Sequence, residues 1–284
     1  MLLNISAIAA RTGVAADTLR KWEQRYGVLR PQRTAGGQRR YSEQDVSRVE
    51  WLRDRLSEGW RIGEVARVLQ ERATPALDDP EELRNAIVAA TADDDPVTIA
   101  ALLDQAFAVL PLERAFTDVV APALREVGEA WHRGELMIAQ EHALTAKVRT
   151  RLEELLAEER PAVRGTAVLA CAPGEQHEIG LLMLAVSLRA DGWRVEYLGA
   201  STPVDQALDF ATKIGASLVC LSAGQHGTAS KLAQALAKVD LATLPTIAIG
   251  GGAVDAELAR SLGVAHTNGD LPTTVAALRE AVAS

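Results

Sequence analysis

Apolar positions along this chain repeat with more than one period. In "NISAIAARTGVAADTLRKWEQRYG", residues 4–27, Ile8, Val14, Leu19 and Trp22 recur at helical spacing around Gly13. That predicts two short helices, about 4–11 and 15–26, in a helix-turn-helix arrangement. Residues 80–159 keep a helical period with few strand signals, which predicts four helices. The last, about 136–158, carries an inner stripe of Ile138, Thr145, Val148, Leu152 and Leu155. After residue 165 short β-branched runs take over. They predict strands at 166–171, 193–198, 217–222, 245–250 and 264–267. Helices are predicted between and after them, near 178–190, 203–214, 228–238, 254–262 and 271–282.

Strands alternating with helices imply a parallel sheet covered on both faces. Five such units make the flavodoxin-like (Rossmann-like) order 2-1-3-4-5 the default. Two polar, proline-bearing stretches, "ERATPALDDPEE" (71–82) and "EERPAVRG" (158–165), mark the joints. The expected architecture is multi-domain α and α/β: a winged helix-turn-helix at 1–75, a four-helix bundle at 80–160 and a parallel-sheet domain at 165–284.

Composition narrows the class. The 284 residues are 48% hydrophobic and 24% charged, a globular balance. No segment approaches the ~20 apolar residues that span a bilayer. "MLLNISAIAARTGV" lacks the basic start of a secretory leader, and Cys171 and Cys220 do not make a disulfide framework. A cytoplasmic protein with two buried thiols and no membrane partner is expected. The net charge of −8 is unevenly spread. Residues 1–72 hold 14 Lys and Arg against 9 Asp and Glu, and the remainder holds 16 against 29. A basic head on an acidic body points to a polyanionic partner for the head alone.

The head offers the means to bind one. Its second helix presents Thr18, Arg20, Lys21 and Arg25. "RPQRTAGGQRRY" follows, with Gly36-Gly37 as a hairpin turn between arms bearing Arg33, Arg39, Arg40 and Tyr41. Ser42 and Asp45 then open a helix with capping-box spacing. The helix can read the major groove while the wing reaches phosphates or the minor groove. A small interaction module with a solvated basic face is the plainer alternative. "LRKWEQRYGVLRPQRTAGGQRRYSEQDVSRVEWL", residues 19–52, resembles the DNA-binding domain of MerR-type transcription regulators. The resemblance implies dimers or higher oligomers on palindromic promoter DNA, and leaves the signal open.

In the tail, "GEQHEIG" follows the first strand and sets Glu175, His177 and Gly180 at E-x-H-x-x-G spacing. Ser222-Ala223-Gly224 ends the third strand, and Gly250, Gly251 and Gly252 end the fourth. In the predicted sheet all three share the ligand-binding rim. A dinucleotide site lacks its G-x-G-x-x-G, and a solvated loop histidine is the plainer reading of His177. A lone histidine suits a metal whose other positions a macrocycle fills, with Glu175 orienting the imidazole. The pattern resembles cobalamin-binding domains, whose motif is D-x-H-x-x-G, then S-x-L, then G-G. Here Glu175 stands for Asp, and Ser222 is followed by Ala223-Gly224 rather than x-Leu. By that resemblance His177 is the lower cobalt ligand, and the cofactor's nucleotide tail passes Ser222, Gly251 and Gly252.

In the helical block Glu141 and His142 lie three and four residues after Ile138, on the inner stripe, where ionisable groups need partners. A buried Glu–His pair between helices is one reading. Trp131 and His132 stand upstream, so the run reads W-x9-E-H. With the cobalamin motif behind it, this resembles the light-responsive cobalamin-dependent repressors of the CarH type. The resemblance implies adenosylcobalamin as chromophore, with Trp131 against the adenosyl group and Glu141 and His142 lining its pocket. By the same resemblance His132 is the residue that takes cobalt's upper position after light. It also implies a dark homotetramer on operator DNA that light dissociates, and no enzymatic turnover. A light-independent cobalamin-binding repressor, a corrinoid methyl-transfer protein and a MerR-type sensor of metals or drugs are the rival readings.

Overall fold

The computed structural model describes residues 3–26, 28–29, 31–33, 38–63, 65, 77–158, 161–267 and 269–283. The chain divides into two compact units, Met1–Pro75 and Ala76–Ser284.

The first unit opens with α1 (Ile5–Thr12) and α2 (Ala16–Tyr26). Asn4 accepts the Ala7 amide at 2.8 Å to start α1, and Gly13 ends it at φ 72°, a conformation that favours glycine. β1 (Gln32–Arg33) and β2 (Arg39–Arg40) pair antiparallel, with Gln32 opposite Arg40. The Gly36-Gly37 turn and the Arg33 side chain lie outside what the structure describes. α3 (Glu43–Ser57) begins with the expected reciprocal cap of Ser42 and Asp45. Ile8, Leu19, Trp22, Tyr41, Val46, Val49 and Leu52 form the core.

The second unit begins with helices. α4 (Pro80–Ala92) and α5 (Pro96–Val109) each start at a capping aspartate, Asp79 and Asp95, followed by proline in the first turn. α6 (Leu112–Arg114) runs through a π-helical segment (Ala115–Val120) into α7 (Ala121–His132). α8 (Ile138–Ala157) is the longest. Its inner face differs from the predicted stripe. Gln140, Leu144, Val148 and Leu152 are buried, whereas Ile138 is exposed. Gln140 takes the inward position because its amide donates to the carbonyls of Thr91 and Ala92 at the end of α4, at 3.4 and 3.0 Å. Glu141 and His142 are therefore not a buried pair between helices.

The sheet follows, with β3 (Thr166–Cys171), β4 (Arg194–Gly199), β5 (Leu218–Ser222), β6 (Thr246–Gly250) and β7 (Ala265–Thr267). All neighbours are parallel and the order is β4-β3-β5-β6-β7, the expected 2-1-3-4-5. Between strands come α9 (Ile179–Ala190), α10 (Val204–Lys213), α11 (His226–Leu236) and α12 (Ala256–Leu262), and α13 (Leu271–Ala283) closes the chain. Alternate residues of β3 face opposite layers. Val168 and Ala170 pack with α10, α11 and α12. Ala167, Leu169 and Cys171 pack into a core shared with α9, α13 and the helical block. Cys171 and Cys220 are buried and free, and burial pushes both thiols up to about 12. No described helix is long and apolar enough to cross a membrane.

Candidate functional site

Strand register builds the rim. Cys171, Ser222 and Gly250 stand abreast at the ends of β3, β5 and β6. The loops leaving these strands must emerge side by side, next to where strand order reverses between β3 and β5.

Glu175 organises that rim. Its side chain is fully buried, and each carboxylate oxygen serves a different loop. Oε1 accepts the His177 amide at 2.9 Å and His177 Nδ1 at 2.7 Å. Oε2 accepts the Gly224 amide at 2.6 Å, the Gln225 amide at 3.2 Å and the Thr228 hydroxyl at 2.8 Å. Burial pushes this carboxyl up, but the donors from His177, Thr228 and Gly224 outweigh it and hold it near a pKa of about 2. The group is thus a carboxylate, and the His177 Nδ1 facing it carries the proton. That leaves Nε2 of an imidazole whose side chain is 69% exposed as the free lone pair.

Two cavities meet at this ring. One, of about 750 Å³, runs along the rim past Ser222, Gly251 and Gly252, between Phe116 and Arg125 of the helical block and Thr274 of α13. The other, of about 560 Å³, is walled by Leu124, Glu141, His142, Thr145 and Arg149. His177 and Gly180 line both. A Cβ at Gly180 would meet nothing within 4 Å, so that wall is open to a ligand. Gly251 serves the backbone instead. It sits at φ 105°, and a Cβ there would lie 2.4 Å from the Ala223 carbonyl oxygen.

The upper residues are held more locally. Glu141 bonds His142 Nδ1 at 2.6 Å and the Thr145 hydroxyl at 2.8 Å, and the His142 side chain is 70% exposed. Trp131 is 37% exposed and sits edge-on to His132, with ring centroids 4.4 Å apart. His132 Nδ1 bonds the Gly128 carbonyl at 2.8 Å, one turn back. Leu124 and Trp131 are seven residues apart, on one face of α7. Neither Trp131 nor His132 lines either of the two cavities.

On the first unit, α2 buries Leu19 and Trp22 and exposes Arg20, Lys21 and Arg25, with Thr18 half-buried. Arg20 pairs with Asp17 at 2.6 Å, and Arg25 lies over the Tyr26 ring. Glu23 ties the helix to the wing, accepting Arg39 Nε at 2.7 Å and the Tyr41 hydroxyl at 2.9 Å. Tyr41 corrects an expectation: it is fully buried in the core rather than displayed for DNA. Its backbone bonds Leu3 in both directions, and burial with the Glu23 bond pushes its hydroxyl up to about 12. Arg40 is half-buried beside Gln38.

Residues 3–72 match the MerR HTH family regulatory proteins, and residues 81–156 and 165–279 each match a B12 binding domain. The HTH-type transcriptional repressor CarH of Myxococcus xanthus is 38% identical over 216 residues, 72% of each chain. CarA, an HTH-type transcriptional repressor of the same organism, is 33% identical over 257 residues, 89% of this chain and 87% of its own. The chain belongs to the CarH-like MerR regulators with a cobalamin-binding domain. The monomethylamine corrinoid protein of Methanosarcina barkeri shares the fold of the second unit. Its structure superposes with a TM-score of 0.60 at 18% identity, over 71% of this chain and 99% of its own.

In this CarH-like regulator the residues at hand fit a corrin-held metal. Among the described residues no three His, Cys, Asp or Glu side chains converge on a bare ion. One histidine, fixed in one tautomer and flanked by two cavities, suits a metal that arrives already ligated. Sequence reasoning missed Thr228, which completes the Glu175 cage, and Arg125, which lines the larger cavity. Thr228 stands six residues after Ser222 with no motif of its own, and only the turn into α11 brings it back to Glu175.

Proposed function

We propose that this chain is a light-responsive transcriptional repressor with adenosylcobalamin as its chromophore. The observation that carries the reading is the Glu175-bound His177 ring at the junction of two cavities. When bound, the cofactor supplies a cobalt–carbon bond that light can break. His177 would hold cobalt through Nε2, with Glu175 orienting the ring through Nδ1. Ser222, Gly251 and Gly252 flank the channel for the nucleotide tail. Trp131, Glu141 and His142, from residues 80–160, would contact the adenosyl group, and residues 165–284 would hold the corrin. His132, held through Nδ1 by the Gly128 carbonyl, would keep Nε2 available to ligate cobalt once the adenosyl group is gone. In the dark the helical block and the sheet domain present surfaces for self-assembly into a tetramer. Several heads, residues 1–75, then bind one operator through Thr18, Arg20, Lys21, Arg25, Arg33, Arg39 and Arg40. Joining the heads raises effective concentration and adds ~10²- to 10⁴-fold in avidity. The work is cytoplasmic, and no substrate is turned over.

The test uses holoprotein purified in darkness. Gel filtration and operator binding are measured before and after green light. A fall in both mass and DNA affinity is expected. Full DNA binding in the light with cobalamin still attached sinks the photochemical part and leaves a light-independent cobalamin repressor. His132→Ala should assemble and dissociate as before, but lose the stable visible spectrum that follows illumination.

A further inference from the structure

His177 is held from both sides along its loop. Glu175 fixes the entry. The exit is held by a second carboxylate, Glu178, which the motif does not include. Its side chain is nearly buried, at 10% exposure, yet it belongs to the first residue before α9 and caps no helix amide. Its two oxygens reach away from the loop in different directions. Oε2 accepts the Tyr197 hydroxyl of β4 at 3.0 Å. Oε1 pairs with Arg149 Nη2 of α8 at 3.0 Å. Arg149 comes from the helical block, and it stands on the same strip of α8 as Glu141, His142, Thr145 and Ala146, the strip that walls the second cavity.

We infer that Arg149 and Glu178 form a latch through which the helical block positions the His177 loop. Arg149 is a positioning residue: from the wall of the second cavity it grips the residue next to His177. Its physical basis is asymmetry of burial. Arg149 is 45% exposed and can find water when released, while Glu178 cannot. Withdrawing α8 leaves a nearly buried carboxylate with Tyr197 alone, which costs far more than losing an exposed pair. A shift of the strip facing the ligand's upper side is therefore felt at the loop beneath it.

The test has two arms, and only the second rests on the cobalamin reading. In the first, amide hydrogen exchange is measured across residues 175–181 of the full-length chain without cofactor. Arg149→Ala should speed exchange there by about tenfold, between the effect of a surface pair and a fully buried one. Arg149→Lys should restore most of the protection. Glu178→Gln should match Arg149→Ala, and the double variant should be no faster than either. Arg114→Ala, which breaks an exposed pair with Asp118, is the control. In the second arm, cobalamin release is followed by absorbance in the dark, and Arg149→Ala should hasten it by a similar factor with lysine rescuing. Unchanged exchange in Arg149→Ala, or additive effects of the two single variants, overturns the latch. A changed exchange pattern in a chain that retains no cobalamin keeps the latch and removes the cofactor reading.

Discussion

The floor and the roof of the site are built in opposite ways. On the floor, His177 is tied by a fully buried carboxylate that also grips two amides and a hydroxyl from another loop. On the roof, among the described residues, His132 is bonded to its own helix alone, and His142 to its neighbour Glu141. Both upper side chains and Trp131 are open to solvent. The floor can hold one geometry through changes of state. The roof can change partners cheaply, because each of its groups gives up only a local bond. The proposed assignment of His177 as the constant ligand and His132 as the exchanging one rests on this contrast.

Substitutions can break that contrast, beginning with the largest. His177→Ala should leave the fold intact and lower cobalamin affinity by more than about a hundredfold, beyond the range for outer partners of a metal ligand. Equilibrium dialysis measures it. Glu175→Gln should cost roughly 10- to 100-fold in the same assay and also change acid stability. The folded carboxyl titrates at about 2, below its ordinary range, so its contribution is complete above that range and is lost as pH falls toward 2. That contribution is of the order of 3 kcal/mol. Urea melts from pH 7 to 3 should show the wild type weakening and the gap to Glu175→Gln closing. Thr228→Val removes one bond of the cage and should cost about 1 kcal/mol in the same melts. Trp131→Ala, at the roof, should change unfolding free energy by less than about 1 kcal/mol, yet abolish dark assembly on gel filtration. His142→Ala should be smallest, within about 0.5 kcal/mol in stability. A roof substitution that destabilises the apoprotein as much as Glu175→Gln would erase the distinction.

Much of this was legible in the residues. The β-branched runs located every strand of the five-stranded sheet to within one residue at each end, and strand count and crossover rules gave the sheet order. The loop motif pointed to His177 because the three polar clusters had to share a rim. Legibility failed where a side chain's partner is distant in sequence. Nothing around Gln140 announces that it bonds the end of α4, so the phase of α8 was misread at its first turn. Tyr41 sits among arginines and looks like a DNA contact. Its burial follows from Glu23 and Leu3, eighteen and thirty-eight residues away in sequence. Glu178 and Arg149 were invisible for the same reason: their spacing of twenty-nine residues belongs to no repeat.

The apolar interior beneath the site runs without a seam from Leu83, Ile87, Leu144 and Leu152 of the helices to Leu169, Leu182 and Cys220 at the sheet. Tilting the roof away like a hinged door would wet that whole interior, and exposed hydrocarbon costs about 25 cal/mol per Å². Sideways slippage keeps the oil layer dry. For the same displacement, a glide of the helices across the sheet therefore exposes less hydrocarbon than a hinged opening does.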